Sequence, residues 1–270
     1  MQIALVGPGR AGLAIAIAAN GAGHDIVAVA ARDSSKATAA AERFGATPLD
    51  IGDPIPPVDL VVIAVRDDAI ATVAGEIAPI ARNAAGGVVH LSGAVPVSAL
   101  ASFADQSVPV GAFHPLQTLP TPTLGARHLA GSWIAVTADG PLSETLHGFA
   151  ESLGCRPFDL ADAVRTRYHA AAAAAANFPI AALSLANDLF ESAGVPFEAA
   201  RPLVEAVVAN AFDVGPGAAL TGPIARGDTE TVVAQIAAVS DATPRIAAAF
   251  RSMVEATRIV AATSPEKETS

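Results

Sequence analysis

Apolar residues fall along the chain in short runs that alternate with longer alanine- and isoleucine-rich stretches. The short runs, residues 3–6, 26–31, 59–65, 87–91, 108–113 and 133–137, read as buried strands. Between them, 11–19 and 69–81 carry helical spacing, and Arg66, Asp67 and Asp68 start the second of these helices. Strand and helix alternating in this way predict an α/β fold, a doubly wound and mostly parallel sheet. Beyond about residue 160 the pattern changes to helix upon helix, at 161–192, 197–212, 228–238 and 244–261, and no further strand is expected. The chain therefore divides into a sheet domain, 1–160, and an all-helical domain, 161–262. Residues 263–270 are polar, and a disordered tail is expected there. No internal repeat is visible.

The first strand runs straight into Gly7-Pro8-Gly9-Arg10-Ala11-Gly12 and then a helix. Three glycines at this spacing, between a strand and a helix, form a dinucleotide fingerprint. The first permits a tight turn, the second lets backbone approach a pyrophosphate, and the third lets the helix pack close to the sheet. Phosphates would sit on the unpaired N–H groups at the helix N-terminus. At the end of the second strand, where an NAD site has an acid for the ribose, this chain has Ala31. Arg32, Ser34 and Lys36 follow, offering a guanidinium, a hydroxyl and an ammonium to a 2′-phosphate, so NADP(H) is the expected cofactor. Asp33 leaves two other readings open: a ribose ligand displaced by one position, or a helix start capped by Asp33 or Ser34. Val65 and Arg66, at the end of the third strand, join the cofactor-binding set.

Composition narrows the class. The chain has 270 residues and a formal net charge of −10, with Lys and Arg scattered, so no basic stripe exists to follow a nucleic acid. One cysteine, Cys155, cannot form an internal disulfide, which fits a reducing compartment, and no metal framework is visible. The N-terminus begins with a strand, so a secretory signal is not expected and a cytoplasmic location is. The longest apolar run, around 170–186, is alanine-rich and broken by Asn177, Pro179 and Ser184. It reads as a buried helix, without a membrane partner.

Several short stretches resemble known enzymes. The order of elements is similar to the superfamily of 6-phosphogluconate dehydrogenase, ketopantoate reductase, pyrroline-5-carboxylate reductase and prephenate dehydrogenase. More closely, the glycine loop, Phe113-His114-Pro115-Leu116-Gln117-Thr118, Tyr168-His169 with Asn177-Phe178-Pro179, and Leu220-Thr221-Gly222-Pro223 with Arg226-Gly227-Asp228 resemble Rossmann-like oxidoreductases whose helical half is domain of unknown function 2520. The resemblance implies a nicotinamide-linked reductase, dimeric through its helical domain, and does not name a substrate.

Hydride transfer needs a proton donor or positive charge where negative charge develops. Ser92 and Gly93 end a central strand, where an open parallel sheet binds its ligand, although Ser92 could equally cap the turn into Ala94. His114 precedes Pro115, which holds the backbone extended and aims the ring past the sheet edge. Ser92 and His114 resemble the serine and histidine that meet the substrate hydroxyl in prephenate dehydrogenases, yet a purely structural histidine fits as well. His169 and Asn177 resemble the lysine and asparagine of ketopantoate reductases. Eight residues of helix turn by about 80° and rise about 12 Å, so the two could face one cleft without touching. A kink is expected at Pro179. Histidine for lysine exchanges a permanent cation for a group that titrates near neutrality. His169 is the first candidate for proton donor and His114 the second, a buried histidine bonded to its own turn being the alternative for His169. Arg226 could clamp a substrate carboxylate with Thr221 beside it, while Asp228 reads also as a helix cap. The resulting expectation is an NADPH-dependent reductase of a small carbonyl compound, an oxo acid such as ketopantoate. Prephenate-dehydrogenase-like oxidation of a hydroxy acid, or a sensor that holds NADP without turnover, are the alternatives.

Overall fold

In the computed structural model, residues 1–81 and 86–263 are described. The chain forms two compact units, Met1–Ala173 and the described residues from Ala174 on. The first contains an eight-stranded sheet in the order β3-β2-β1-β4-β5-β6-β7-β8. Its strands are β1 Gln2–Val6, β2 Asp25–Ala31, β3 Thr47–Asp50, β4 Leu60–Ile63, β5 Val88–His90, β6 Val110–Leu116, β7 Trp133–Thr137 and β8 Arg156–Asp159. Adjacent strands are parallel except β6 and β7, which pair antiparallel. The order reverses between β1 and β4, which makes the carboxyl ends of these two strands the switch point of the sheet.

Helices α1 (Arg10–Gly21), α2 (Ser34–Glu42), α3 (Ile70–Ile77), α4 (Ala101–Ala104), α5 (Pro122–Leu129) and α6 (Gly140–Ser152) cover both faces. Side chains alternate across each strand, so one face buries Leu5, Val62, Val89 and Phe113 against α1, α5 and α6. The other buries Val6, Ile63 and Val88 against α3 and α4. Both faces are apolar because both are covered, which is why these strands read as continuous hydrophobic runs.

Two strands were not expected, β3 and β8, and they are the two edges of the sheet. Each is short, and each carries a proline at its second position, Pro48 and Pro157, tolerated where no neighbour needs the missing N–H. Pro115 follows the same logic. Strand β5 ends at His90, opposite Ala112, so beyond that point β6 is paired only with β7.

The helical half contains the later turns of α7 (Arg165–Ser192), then α8 (Arg201–Val214), α9 (Pro216–Ala219), α10 (Thr229–Ala242) and α11 (Ala247–Thr263). Val239, Ile246 and Ala247 form a small core with Leu185, Leu189 and Phe250. The first turns of α7, through Ala173, lie in the sheet unit. Helix α7 runs on through Pro179 to Ser192. The expectation that it is buried is not met: among its described residues only Arg165 is fully buried, and Leu185 and Leu189 are partly covered by the small core of the helical half. By length and composition the 162–192 stretch could cross a membrane, a test that core helices of soluble proteins also pass. Thr263, expected in the tail, ends α11, and the remainder of the tail lies outside the described residues.

Candidate functional site

The glycine loop builds a groove at the switch point. Gly7 has a φ of +93°, and a Cβ there would stand 2.7 Å from Val65 Cγ1 and 2.9 Å from the Ala64 carbonyl oxygen. At Gly12 a Cβ would meet the Gly7 carbonyl oxygen at 2.6 Å and Ala64 Cβ at 2.8 Å, so this glycine sets how closely α1 approaches the sheet. Gly9 is different. A Cβ there would have its nearest neighbour at 3.8 Å, which leaves the backbone open to an incoming group.

Helix α1 starts at Gly9 with no side-chain cap and no acid in its first turn. Its free N–H groups and dipole therefore face the groove with nothing in the sequence to satisfy them, the arrangement that suits a phosphate. The groove holds about 730 Å³, in the range of sites for small molecules and cofactors. It is lined by the glycine loop from Gly7 to Ala11, by Ala64, Val65 and Arg66 after β4, by Thr118, Leu119 and Pro120 after β6, and by Lys36.

The three side chains expected at a 2′-phosphate are placed unequally. Lys36 lines the groove, while its ammonium lies 3.5 Å from Asp33. Arg32 reaches across to Glu76 at 3.2 Å, an exposed pair. The Ser34 hydroxyl donates to the Asp50 carboxylate at 2.6 Å. Asp33 is the N-cap of α2, accepting from the backbone N–H groups of Ser35 and Lys36. The Ser35 hydroxyl, and then the Lys36 N–H, hold its carboxyl below the usual range. Of the readings left open for Asp33, capping is the one the geometry satisfies.

Further along the carboxyl edge, a second set of groups gathers around His114. Beyond the end of β5 the chain turns away through Ser92 and Gly93, leaving β6 to carry His114 past its neighbour. The Ser92 hydroxyl accepts from the backbone N–H groups of Ala94 at 3.1 Å and Val95 at 3.0 Å, so it shapes the turn. Tyr168 and His169 descend from the first turns of α7. His114 Nδ1 and the Tyr168 hydroxyl are 2.7 Å apart, and the His114 and His169 ring centroids 6.2 Å. His169 Nδ1 is buried without a hydrogen-bond partner. Strand register sets Ala135 between His114 and Phe158 on one face, and Tyr168 covers this row with its ring centroid 6.0 Å from that of Phe158.

What holds Tyr168 and His169 over the sheet is Arg165, 1% exposed. Its Nε donates to Asp162 Oδ1 at 2.7 Å, one Nη to the Ser92 carbonyl at 3.3 Å, and the other to the Thr137 hydroxyl. Asp162 in turn accepts from the Val97 N–H at 2.9 Å. One buried guanidinium thus ties the start of α7 to β7 and to the loop after β5. Burial, then charge repulsion with His169 and from Arg165, lowers His114 to about 4. Burial likewise lowers His90 to about 4 and raises Tyr168 to about 12. At neutral pH these three groups are uncharged.

Arg165 was not singled out from the sequence, and Tyr168 entered only within the Tyr168-His169 stretch, with no role of its own. Its rarity was a further signal, since Tyr168 is the only tyrosine of the chain. The other expected site residues belong to the second unit. Asn177 is exposed on α7, and Thr221 and Arg226 are exposed in the loop before α10. Asp228 caps α10, accepting from the Thr231 N–H at 3.0 Å and its hydroxyl at 2.7 Å.

A sheet in this order, with an uncapped glycine loop at its switch point, defines a Rossmann-type dinucleotide fold. The chain accordingly matches the Rossmann-like domain over residues 1–115 and the domain of unknown function DUF2520 over 132–257, and it carries both. No curated protein matches it. Among solved structures it is similar to a candidate NADP oxidoreductase from Bacteroides fragilis, with 23% identity and a TM-score of 0.80 over 96% of this chain and 98% of that one. Protein TM1727 from Thermotoga maritima gives 21%, 0.78, 97% and 100% for the same quantities. An imine reductase from Streptomyces aurantiacus gives 17%, 0.67, 98% and 96%. At these identities the likeness is one of fold.

Proposed function

We propose that the protein is an oxidoreductase that uses NADPH to reduce a small carbonyl compound, an oxo acid being the expected class. The observation that carries this reading is the pairing of two sites on one sheet edge. An open, uncapped glycine loop lies at the β1/β4 switch point, and a histidine-tyrosine cluster follows at the ends of β5 and β6. Gly7 to Ala11 and the N-terminus of α1 would hold the pyrophosphate, with Val65 and Arg66 opposite. Lys36 would meet the 2′-phosphate, and the exposed Arg32 would exchange Glu76 for it at little cost. Bound NADPH would supply the hydride; the protein's part is to orient the acceptor and provide a proton where its oxygen gains charge. Soluble, cytoplasmic action fits the same reading.

The helical half is proposed to bind a second copy of the chain. Phe178 and Ile180 on α7 and Leu203, Val207, Val208 and Phe212 on α8 are all exposed, more apolar surface than a solvated helix pair keeps.

Calorimetric titration with NADPH and NADH, followed by a panel of oxo acids and cyclic imines with NADPH oxidation as readout, tests the function. NADPH is expected to bind at least about tenfold tighter than NADH, a margin that a charge-assisted phosphate contact supplies, and an oxo acid to be consumed. Absence of binding by either coenzyme at millimolar concentration would end the proposal, and turnover of imines alone would reassign the substrate.

A further inference from the structure

The proposed reduction needs one proton-bearing atom at the substrate oxygen, and His114 and His169 compete for that place. Their surroundings differ. His114 Nδ1 is engaged by the Tyr168 hydroxyl at 2.7 Å, the rings meeting edge to face at 89°. Burial keeps both partners neutral near pH 7. Between a neutral phenol and a neutral imidazole the hydrogen bond has one favoured polarity. The phenol is the stronger acid and the ring nitrogen the stronger base, so the O–H donates to Nδ1. The ring proton then resides on Nε2.

Gly93 fixes the other side of the ring. A Cβ at Gly93 would lie 2.6 Å from His114 Nε2, 2.8 Å from Cε1 and 2.9 Å from Cδ2. Near-equal distances to three ring atoms put that position above the ring face. A group in line with the Nε2–H bond would be farther from the two carbons. Gly93 therefore clamps the imidazole flat without standing in the path of its N–H.

We infer that Tyr168 is a positioning residue that holds His114 as the Nε2–H tautomer, and that His114 Nε2–H is the group that meets the substrate oxygen. The inference rests on the reductase reading for its second half; the tautomer stands independently of it. As the carbonyl carbon receives hydride, the π pair moves to oxygen, which takes the proton from Nε2. The Tyr168 proton passes to Nδ1 as the Nε2–H bond breaks. The phenolate left behind, near Arg165, takes its proton back from Nδ1 as Nε2 takes one from water, which restores the starting tautomer. Hydrogen bonds to one ring nitrogen fix which nitrogen of a histidine carries the proton in other sites as well.

The test is long-range proton–nitrogen NMR of the full chain, the His114 signals identified by their loss in His114→Gln. At pH 7 a protonated Nε2 and an unprotonated Nδ1 are expected. In Tyr168→Phe the Nδ1 signal is expected to move toward the average of the two tautomers, and kcat to fall about a hundredfold, the scale of a lost acid–base contribution, with NADPH binding unchanged. Should Tyr168→Phe fold poorly, growth on fluorotyrosine labels the single tyrosine alone, and its more acidic phenol is expected to shift His114 Nδ1 further. A wild-type His114 protonated on Nδ1, or a tautomer indifferent to both changes, would overturn the inference. A wild-type protein with the expected tautomer but no turnover of any oxo acid or imine would retire the catalytic half alone.

Discussion

At the scale of residues, the same missing Cβ serves two purposes. Gly12 has backbone on the far side of the gap, and backbone cannot swing away. Gly12→Ala is expected to push α1 off the sheet, costing about 1–3 kcal/mol as overpacking does and weakening NADPH binding; urea unfolding and calorimetric titration measure the two effects. The buried histidines make a different prediction. His90 is held at about 4 in the folded chain, below its ordinary 6.5, so the folded state binds fewer protons than the unfolded one. Stability is therefore unaffected above about pH 6.5 and is lost as pH falls from there toward 4, by up to about 3 kcal/mol for this one group. His114 adds to the slope in the same window. Unfolding midpoints between pH 7 and 4.5 check the sign, and His90→Gln is expected to flatten the curve. The glycine loop was legible because its logic is local, each glycine acting within a few positions. Tyr168 was not, because its partner lies 54 positions earlier and only the folded sheet brings them together.

Elements show the same division. The inner strands were legible because both faces are buried, which leaves an uninterrupted apolar run. The edge strands β3 and β8 were illegible for the reason that they are edges: short, half exposed and carrying proline. Helix α2 was visible in outline, and that Asp33 caps it was seen only from where its carboxylate points. Lys36→Ala is expected to weaken NADPH about tenfold, the loss of one phosphate contact, while leaving NADH unchanged; a parallel change in both would move the phosphate site elsewhere. The first turn of α7 depends on Arg165. Arg165→Met is expected to cost about 1–3 kcal/mol, the scale of losing a charged hydrogen bond from a half-exposed partner, and to let His114 titrate at higher pH once its positive neighbour is gone. Chemical denaturation and histidine NMR report these separately.

For the whole molecule, class was legible and assembly less so. The change from alternating strands to consecutive helices marked two parts, yet α7 belongs to both, because a helix can leave one core and continue beyond it. Its alanines looked buried in sequence and are half-buried or exposed. A double substitution, Val208→Glu with Phe212→Glu, is expected to turn a dimer into a monomer by light scattering without lowering the melting temperature of the sheet unit; an unchanged mass would show that α8 does not face a partner. Phe212, 87% exposed, would be the most sensitive reporter of the proposed contact.

The distribution of chromophores has a practical outcome. The chain has a single tryptophan and a single tyrosine, and both pack against Phe158, at 6.1 and 6.0 Å between ring centroids. Tryptophan emission and the tryptophan and tyrosine bands of near-ultraviolet dichroism thus report one corner of the sheet and not the helical half. Most of the far-ultraviolet signal comes from helices, many of them in that half. If the two halves melt independently, the two kinds of spectra will trace different curves; coincident curves would mean that they come apart together.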